Sequence, residues 1–114
     1  MFRTYLCAES EEAVIVDTSV PRIRMEYFTA IVNGYLHHMR KHLTPTECKH
    51  IVYAGKFMLF MQGVRFLTDF LNNDVYYKTK YEMHNLNRAV NQLTLLEEYC
   101  RLESQMESVV QTLL

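Results

Sequence analysis

Residues 44–71 read Thr44-Pro45-Thr46-Glu47 followed by CKHIVYAGKFMLFMQGVRFLTDFL. The first four residues form a helix start. Thr44 can accept a hydrogen bond from the free amides of the new turn. Pro45 suits the first helical position, where its missing N–H costs nothing, and Glu47 sits three residues past the cap, within reach of its backbone N–H. The spacing predicts a helix from here to about Leu71. Phe57, Met58, Leu59, Phe60, Met61, Val64, Phe66, Leu67, Phe70 and Leu71 leave almost no polar face in its second half. A helix apolar all round is buried on several sides, so this one is expected in the middle of the domain or against another domain. Gly55 and Gly63 each weaken it by about 1 kcal/mol relative to Ala and permit close approach of a neighbouring backbone.

Upstream, Met25, Phe28, Val32, Tyr35 and Met39 recur at three- and four-residue steps and predict a helix over about 25–42. Its basic end suits the negative end of the helix dipole. Downstream, Asn72-Asn73-Asp74 reads as a turn, because these side chains bond to local backbone. Val75 to Lys78 follows as a short extended piece. A third helix is expected over about 85–110, with Leu86, Ala89, Leu93, Leu96 and Cys100 as its apolar stripe; Glu103 interrupts that stripe and predicts exposed or frayed last turns. Residues 1–21 read as an irregular acidic arm closed by Pro21, with Ala13 to Val16 as a short extended stretch, and 22–114 as a helical domain. The expected fold is all-α: three long helices, mostly antiparallel because their connections are short, with the irregular arm attached.

A chain of 114 residues suits one domain, and one of that size buries roughly two-thirds of its unfolded surface. It therefore needs neither metal nor disulfide to fold. Cys7, Cys48 and Cys100 are an odd set without CxxC spacing. They read as small apolar residues in a reducing, cytoplasmic setting. No run approaches the ~20 apolar residues of a membrane span, and MFRTYLCAESEEA turns acidic too soon for a signal peptide. The net charge of −1 gives no overall field for nucleic acid. Arg3 against Glu9, Glu11, Glu12 and Asp17 leaves residues 1–19 at −3, and six Lys and Arg against Glu26 and Glu47 put 20–56 at +4. The simplest reading of the basic stretch is a solvated face complemented by the acidic start.

Few residues suggest chemistry. His37, His38 and His42 lie beside Arg40 and Lys41, which repel a cation, so no metal site is expected. No GxSxG or HExxH occurs, and three scattered Gly cannot build a phosphate loop. Arg65 and Asp69 stand out as polar residues inside an apolar helix, four apart and hence on one face. Two readings stay open. They form an internal ion pair or cap a neighbouring helix end, or they form a patch that receives a hydroxylated or charged ligand, with Tyr76 beside it.

The segment GVRFLTDFLNNDVYYKTKYEMHNLNRAVNQLTLLE resembles the C-terminal end of aminoglycoside-phosphotransferase-like and choline-kinase-like proteins, and most closely the N-acetylhexosamine 1-kinase type. The shared pattern is G-x-R-F-L-T-D-[YF]-L-x-x-D-x-Y-[FY]-K, then H-N-L-x-R and a Gln. Gly63, Arg65, Asp69, Asp74, Tyr76, Lys78, His84, Asn85, Arg88 and Gln92 carry it. With a looser match over Glu26 to Leu36, the likeness spans most of 22–100. Met1-Phe2-Arg3 looks like the end of the family's metal-binding stretch without its aspartates.

The resemblance implies the C-terminal helical subdomain of a protein-kinase-like fold. It implies a substrate-binding role for Arg65 and Tyr76 on the sugar side, next to Asp69, and a structural role for His84 and Arg88 in anchoring the segment before the third helix. Phosphoryl transfer needs a phosphate cradle with its Lys, Mg²⁺ ligands and an Asp for the acceptor hydroxyl. In the family these precede the matched region. ATP and Mg²⁺ are therefore expected only for a full-length relative, with no cofactor and no catalytic residue in this chain. The expected partners are a sugar, a separate catalytic half, or a second copy of the chain through the helix at 44–71. Neither nucleic acid nor membrane is expected.

Overall fold

The computed structural model describes residues 2–114, and the chain is mainly helical. Met1, first residue of the Met1-Phe2-Arg3 match, lies outside the described residues. The elements are α1 (Phe2–Leu6), α2 (Met25–Met39) extended by a 3₁₀ turn (Arg40–His42), α3 (Pro45–Lys49), α4 (Ile51–Leu71), α5 (His84–Arg101) and α6 (Glu103–Leu113). Among the described residues no strand forms; one antiparallel bridge joins Cys7 to Ile23.

Two of the three long helices predicted from sequence are divided, each at one residue. The capping box forms as its sequence predicts: Glu47 N–H donates to Thr44 Oγ1 at 3.2 Å and Thr44 N–H to the Glu47 carboxylate at 2.7 Å. The turn it starts ends at His50, whose φ of −106° and ψ of 11° leave the helical region before α4 begins. The second break is Leu102, with φ −95° and ψ 1°. It lets α6 swing away from α5 and pack on α2 and α4. The last turns therefore do not fray. Met106 and Val110 are buried, and Glu103, expected to interrupt packing, pairs with Lys56 of α4 at 2.8 Å.

α4 and α5 form the central hairpin. Of the two places expected for it, α4 does not take the middle of the domain; it buries one face: Val52, Gly55, Leu59, Gly63, Phe66 and Asp69. Tyr53, Phe57, Met58, Phe60 and Val64 are exposed. The glycines admit side chains, not a backbone. A Cβ on Gly55 would lie 2.5 Å from the Tyr99 hydroxyl, and one on Gly63 would lie 2.7 Å from Leu93 Cδ2. In α2, Phe28, Val32 and Leu36 are buried, and the predicted Tyr35 is exposed. The core joins these to Leu6, Cys7, Val52, Leu59, Leu95, Tyr99, Met106 and Val110.

The inward face of α5 also differs from the predicted stripe. Cys100 is exposed, while Asn91, Gln92, Glu98 and Tyr99 are buried. Polar side chains turn inward because the N-terminal arm lies against them and supplies backbone groups. The Glu98 carboxylate accepts the N–H of Arg22 at 2.7 Å and of Ile23 at 2.6 Å. Asn91 donates to the carbonyls of Ser10 (3.1 Å) and Ala13 (2.8 Å) and accepts from Arg3. The arm is thus tied down along α5, with α1 helical where irregular chain was expected. The acidic start does meet the basic stretch, at Arg22 and Glu9, 3.1 Å apart. No described helix is long and apolar enough to cross a membrane.

Candidate functional site

At the end of α4 the chain reverses through Asn73 and Asp74, at φ 67° and 59°. Asn and Asp are the non-glycine residues that best tolerate this left-handed region. The Asp74 N–H bonds back to the Asp69 carbonyl at 2.8 Å, which returns residues 75–77 alongside the last turns of α4.

Asp69 fixes that return. Its Oδ1 accepts the Tyr76 N–H at 2.8 Å, and its Oδ2 accepts the Tyr77 N–H at 3.0 Å and the Asn85 amide at 2.7 Å. Asn85 also donates to Asp74 Oδ1 at 3.0 Å, which joins the loop to the start of α5. Burial works to raise the Asp69 carboxyl. The N–H groups of Tyr77, Tyr76 and Val75, with the Asn85 amide, outweigh it and hold the group below its ordinary value.

Arg65 is exposed and is not among the partners of Asp69. Of the two readings of this pair the ion pair does not form; Asp69 caps the neighbouring loop instead. Arg65, Asp69 and Tyr76 do come together, lining a cleft of about 340 Å³ with Val64, Thr68 and Tyr77. Among the described residues the Arg65 guanidinium makes no ion pair. Tyr76 is 74% exposed and its ring meets Tyr77 edge-on at 4.9 Å, while Tyr77 leans on Phe66 at 4.8 Å. The cleft thus offers the guanidinium donors, an exposed aromatic face and the Thr68 hydroxyl. That set suits hydrogen bonding to hydroxyl or carbonyl oxygens together with stacking on a ring.

His84 and Arg88 sit behind this cleft. The Lys80 N–H donates to His84 Nδ1 at 3.1 Å, so Nε2 carries the proton it gives to Glu12. Arg88 Nε meets the same carboxylate at 3.2 Å, and its Nη1 reaches the carbonyl of Lys78 at 3.0 Å and the Asn85 side-chain oxygen at 2.9 Å. Both residues anchor the 78–83 loop, and they also anchor the arm. Burial pushes the Glu12 carboxyl up, but the hydrogen bonds from Arg88 and His84 and the charge of Arg88 leave it below its ordinary value.

Sequence reading missed Thr68 and Tyr77 as cleft residues and Asn85 as the brace beneath it. Asn85 stands in the matched pattern, and its buried position was the missing signal. Among the described residues no three His, Cys, Asp or Glu side chains gather as a metal site requires, and His37, His38 and His42 are exposed. No model of a known protein family matches the chain.

Proposed function

We propose that the chain is the acceptor-binding helical part of a small-molecule phosphotransferase of the sugar or aminoglycoside type, silent in catalysis by itself. The observation that carries this reading is the cleft at the end of α4. There Asp69 is consumed in holding the loop, and the Arg65 guanidinium and Tyr76 ring remain available to a ligand. The long G-x-R-F-L-T-D pattern with its HNLxR continuation supports the family. The nucleotide, its Mg²⁺ and the residue that orients the acceptor hydroxyl would come from elsewhere than residues 2–114. Arg65 would hold ring hydroxyls or an acetamido carbonyl, and Tyr76 would cover the ring face.

A heteronuclear NMR titration of the chain with N-acetylglucosamine tests this. Shifts confined to 64–77, abolished in Arg65→Ala and weakened in Tyr76→Ala, are the expected result. Absence of any shift at millimolar sugar rejects the acceptor site. Phosphorylation of the sugar by the purified chain with Mg-ATP rejects the silent reading.

A second reading, a helical self-association module, has its own observation. Tyr53, Phe57, Phe60 and Val64 expose an apolar strip of α4 in which Tyr53 and Phe57 stack at 6.2 Å. Surfaces of this kind commonly meet a partner. A sedimentation series that reports a monomer at every concentration rejects it.

A further inference from the structure

Tyr53, Phe57, Phe60, Val64, Leu67 and Leu71 follow one another along α4 at steps of four, three, four, three and four. That is the 3.5-residue repeat of a coiled-coil seam. It runs over residues 53–71, roughly 27 Å of helix, and shares no residue with the face that α4 buries. Leu67 is half-buried and the other five are exposed. An apolar groove of about 330 Å³ lies beside the first half of the seam, where Leu96 and Cys100 of α5 face Tyr53, Phe57 and Phe60.

The order of the side chains says what fits. The six positions are symmetric about Gln62. A second α4 laid antiparallel therefore sets Tyr53 against Leu71, Phe57 against Leu67 and Phe60 against Val64. Each layer joins one aromatic to one aliphatic residue, the pairing of large with small that lets layers interdigitate. A parallel copy would set Phe57 on Phe57 and Val64 on Val64, crowding one end and leaving the other loose. Charge agrees. The positions flanking the seam, where charges choose a coiled-coil partner, are Ala54, Lys56, Met61, Gly63, Thr68 and Phe70. Lys56 is the one charge among them, and Glu103 of the same chain neutralises it at 2.8 Å. A two-fold contact brings identical surfaces together, and this one sets no like charges against each other. The rings of Tyr53, Phe57 and Phe60 are about half exposed, and at about 150–250 Å² for a whole side chain they offer roughly 300 Å². With Val64 and the two leucines the seam reaches the scale of a small specific interface, under about 600 Å² a side.

We infer that this seam pairs with the same seam of a second copy of the chain, antiparallel, about a two-fold axis at the level of Gln62. The inference rests on the self-association reading. Its test is sedimentation of the full chain up to millimolar concentration, where the unaltered chain is expected to dimerise. Phe57→Glu and Leu67→Lys each place a charge in an apolar layer, and each is expected to raise the dimer Kd about tenfold or more. Mixed, the two variants are expected to recover a heterodimer, because the antiparallel register sets the new carboxylate against the new ammonium. Circular dichroism checks that each variant keeps its helices. If either unfolds, concentration-dependent NMR shifts of the Tyr53, Phe57 and Phe60 rings and the Leu71 methyls in the unaltered chain decide, and their absence overturns the seam. A dimer that survives Phe57→Glu overturns the seam and leaves self-association through another surface. Loss of the dimer in both variants without recovery in the mixture overturns the antiparallel pairing. A monomer at every concentration overturns the seam and the self-association reading together.

Discussion

Asp69 holds Tyr76 by its backbone: Oδ1 accepts the Tyr76 N–H at 2.8 Å, and the ring is left facing outward. The carboxylate therefore sets where the Tyr76 ring stands relative to Arg65, four residues before it on α4. Asp69→Ala removes the acceptor for three donors at once and leaves the Asn85 amide short of one partner. The expected outcome is a lower Tm, faster amide exchange at Tyr76 and Tyr77, and loss of the sugar-induced shifts. Asp69→Asn keeps one oxygen for two N–H groups and falls between. Unchanged exchange at both tyrosines in Asp69→Ala would show that the loop is held by other contacts.

Acid should loosen the same region. The folded-state carboxyls of Asp69 and Glu12 lie below their ordinary values of 3.8 and 4.5. A lowered folded pKa means that the unfolded chain binds protons more readily. The stabilisation is then fully present above the ordinary value and is lost as pH falls through the lowered one. Thermal melts from pH 6 downward are expected to hold a steady contribution from these groups until about pH 4.5 and to decline below it. Asp69→Asn with Glu12→Gln is expected to flatten that decline. A decline of equal steepness in the double variant would assign it to other carboxylates.

Glu98 ties the arm to the helix by accepting two adjacent N–H groups from a buried position. Glu98→Ala leaves both donors without a partner, each worth about 1–3 kcal/mol, so destabilisation on the order of 3 kcal/mol is expected in urea melts. Limited proteolysis should then cut within 8–21 first. Protection of that segment in Glu98→Ala would show that Asn91 and Arg88 suffice to hold the arm.

How far the sequence reveals this fold depends on whether a signal is local. Thr44 and Glu47 form their capping box because both partners lie within four residues, and Asn73 and Asp74 turn because their own side chains tolerate a positive φ. Arg65, Asp69 and Tyr76 could be gathered in advance for the same reason, since helical spacing and one short turn connect them. Glu98 and Asn91 could not. Each is a polar residue off the apolar stripe that periodicity marks, yet it is buried, and its partners lie 76 and 81 residues away for the Arg22 and Ser10 contacts. The breaks at His50 and Leu102 carry no Gly or Pro. Leu102 is broken by the demand of α6 to reach α2, a tertiary cause that local propensity does not record. The orientation of α4 was hidden by its composition: with apolar residues on every side, only the positions of Gly55 and Gly63 mark the face that meets α5.

Those glycines give the sharpest packing test. A Cβ at position 55 meets the Tyr99 hydroxyl at 2.5 Å and Phe2 Cε1 at 2.8 Å, and the Tyr99 hydroxyl is itself fixed by donating to the Val52 carbonyl at 2.8 Å. Burial also pushes the Tyr99 phenol up, so it stays protonated and able to donate. Gly55→Ala gains about 1 kcal/mol of helix propensity against overpacking of about 1–3 kcal/mol, and net destabilisation is expected. Gly34→Ala, in α2 with nothing within 4 Å of the added Cβ, keeps the propensity gain and should stabilise by up to about 1 kcal/mol. Tyr99→Phe loses one hydrogen bond, about 1 kcal/mol, and removes the atom that the Cβ introduced by Gly55→Ala would strike. In a double-mutant cycle the pair should therefore be less destabilised than the sum of its single variants, by more than the roughly 0.3–0.5 kcal/mol scatter typical of independent sites. Simple additivity would mean that the hydroxyl moves aside without loss, and that close packing at Gly55 does not fix the register of α4 on α5.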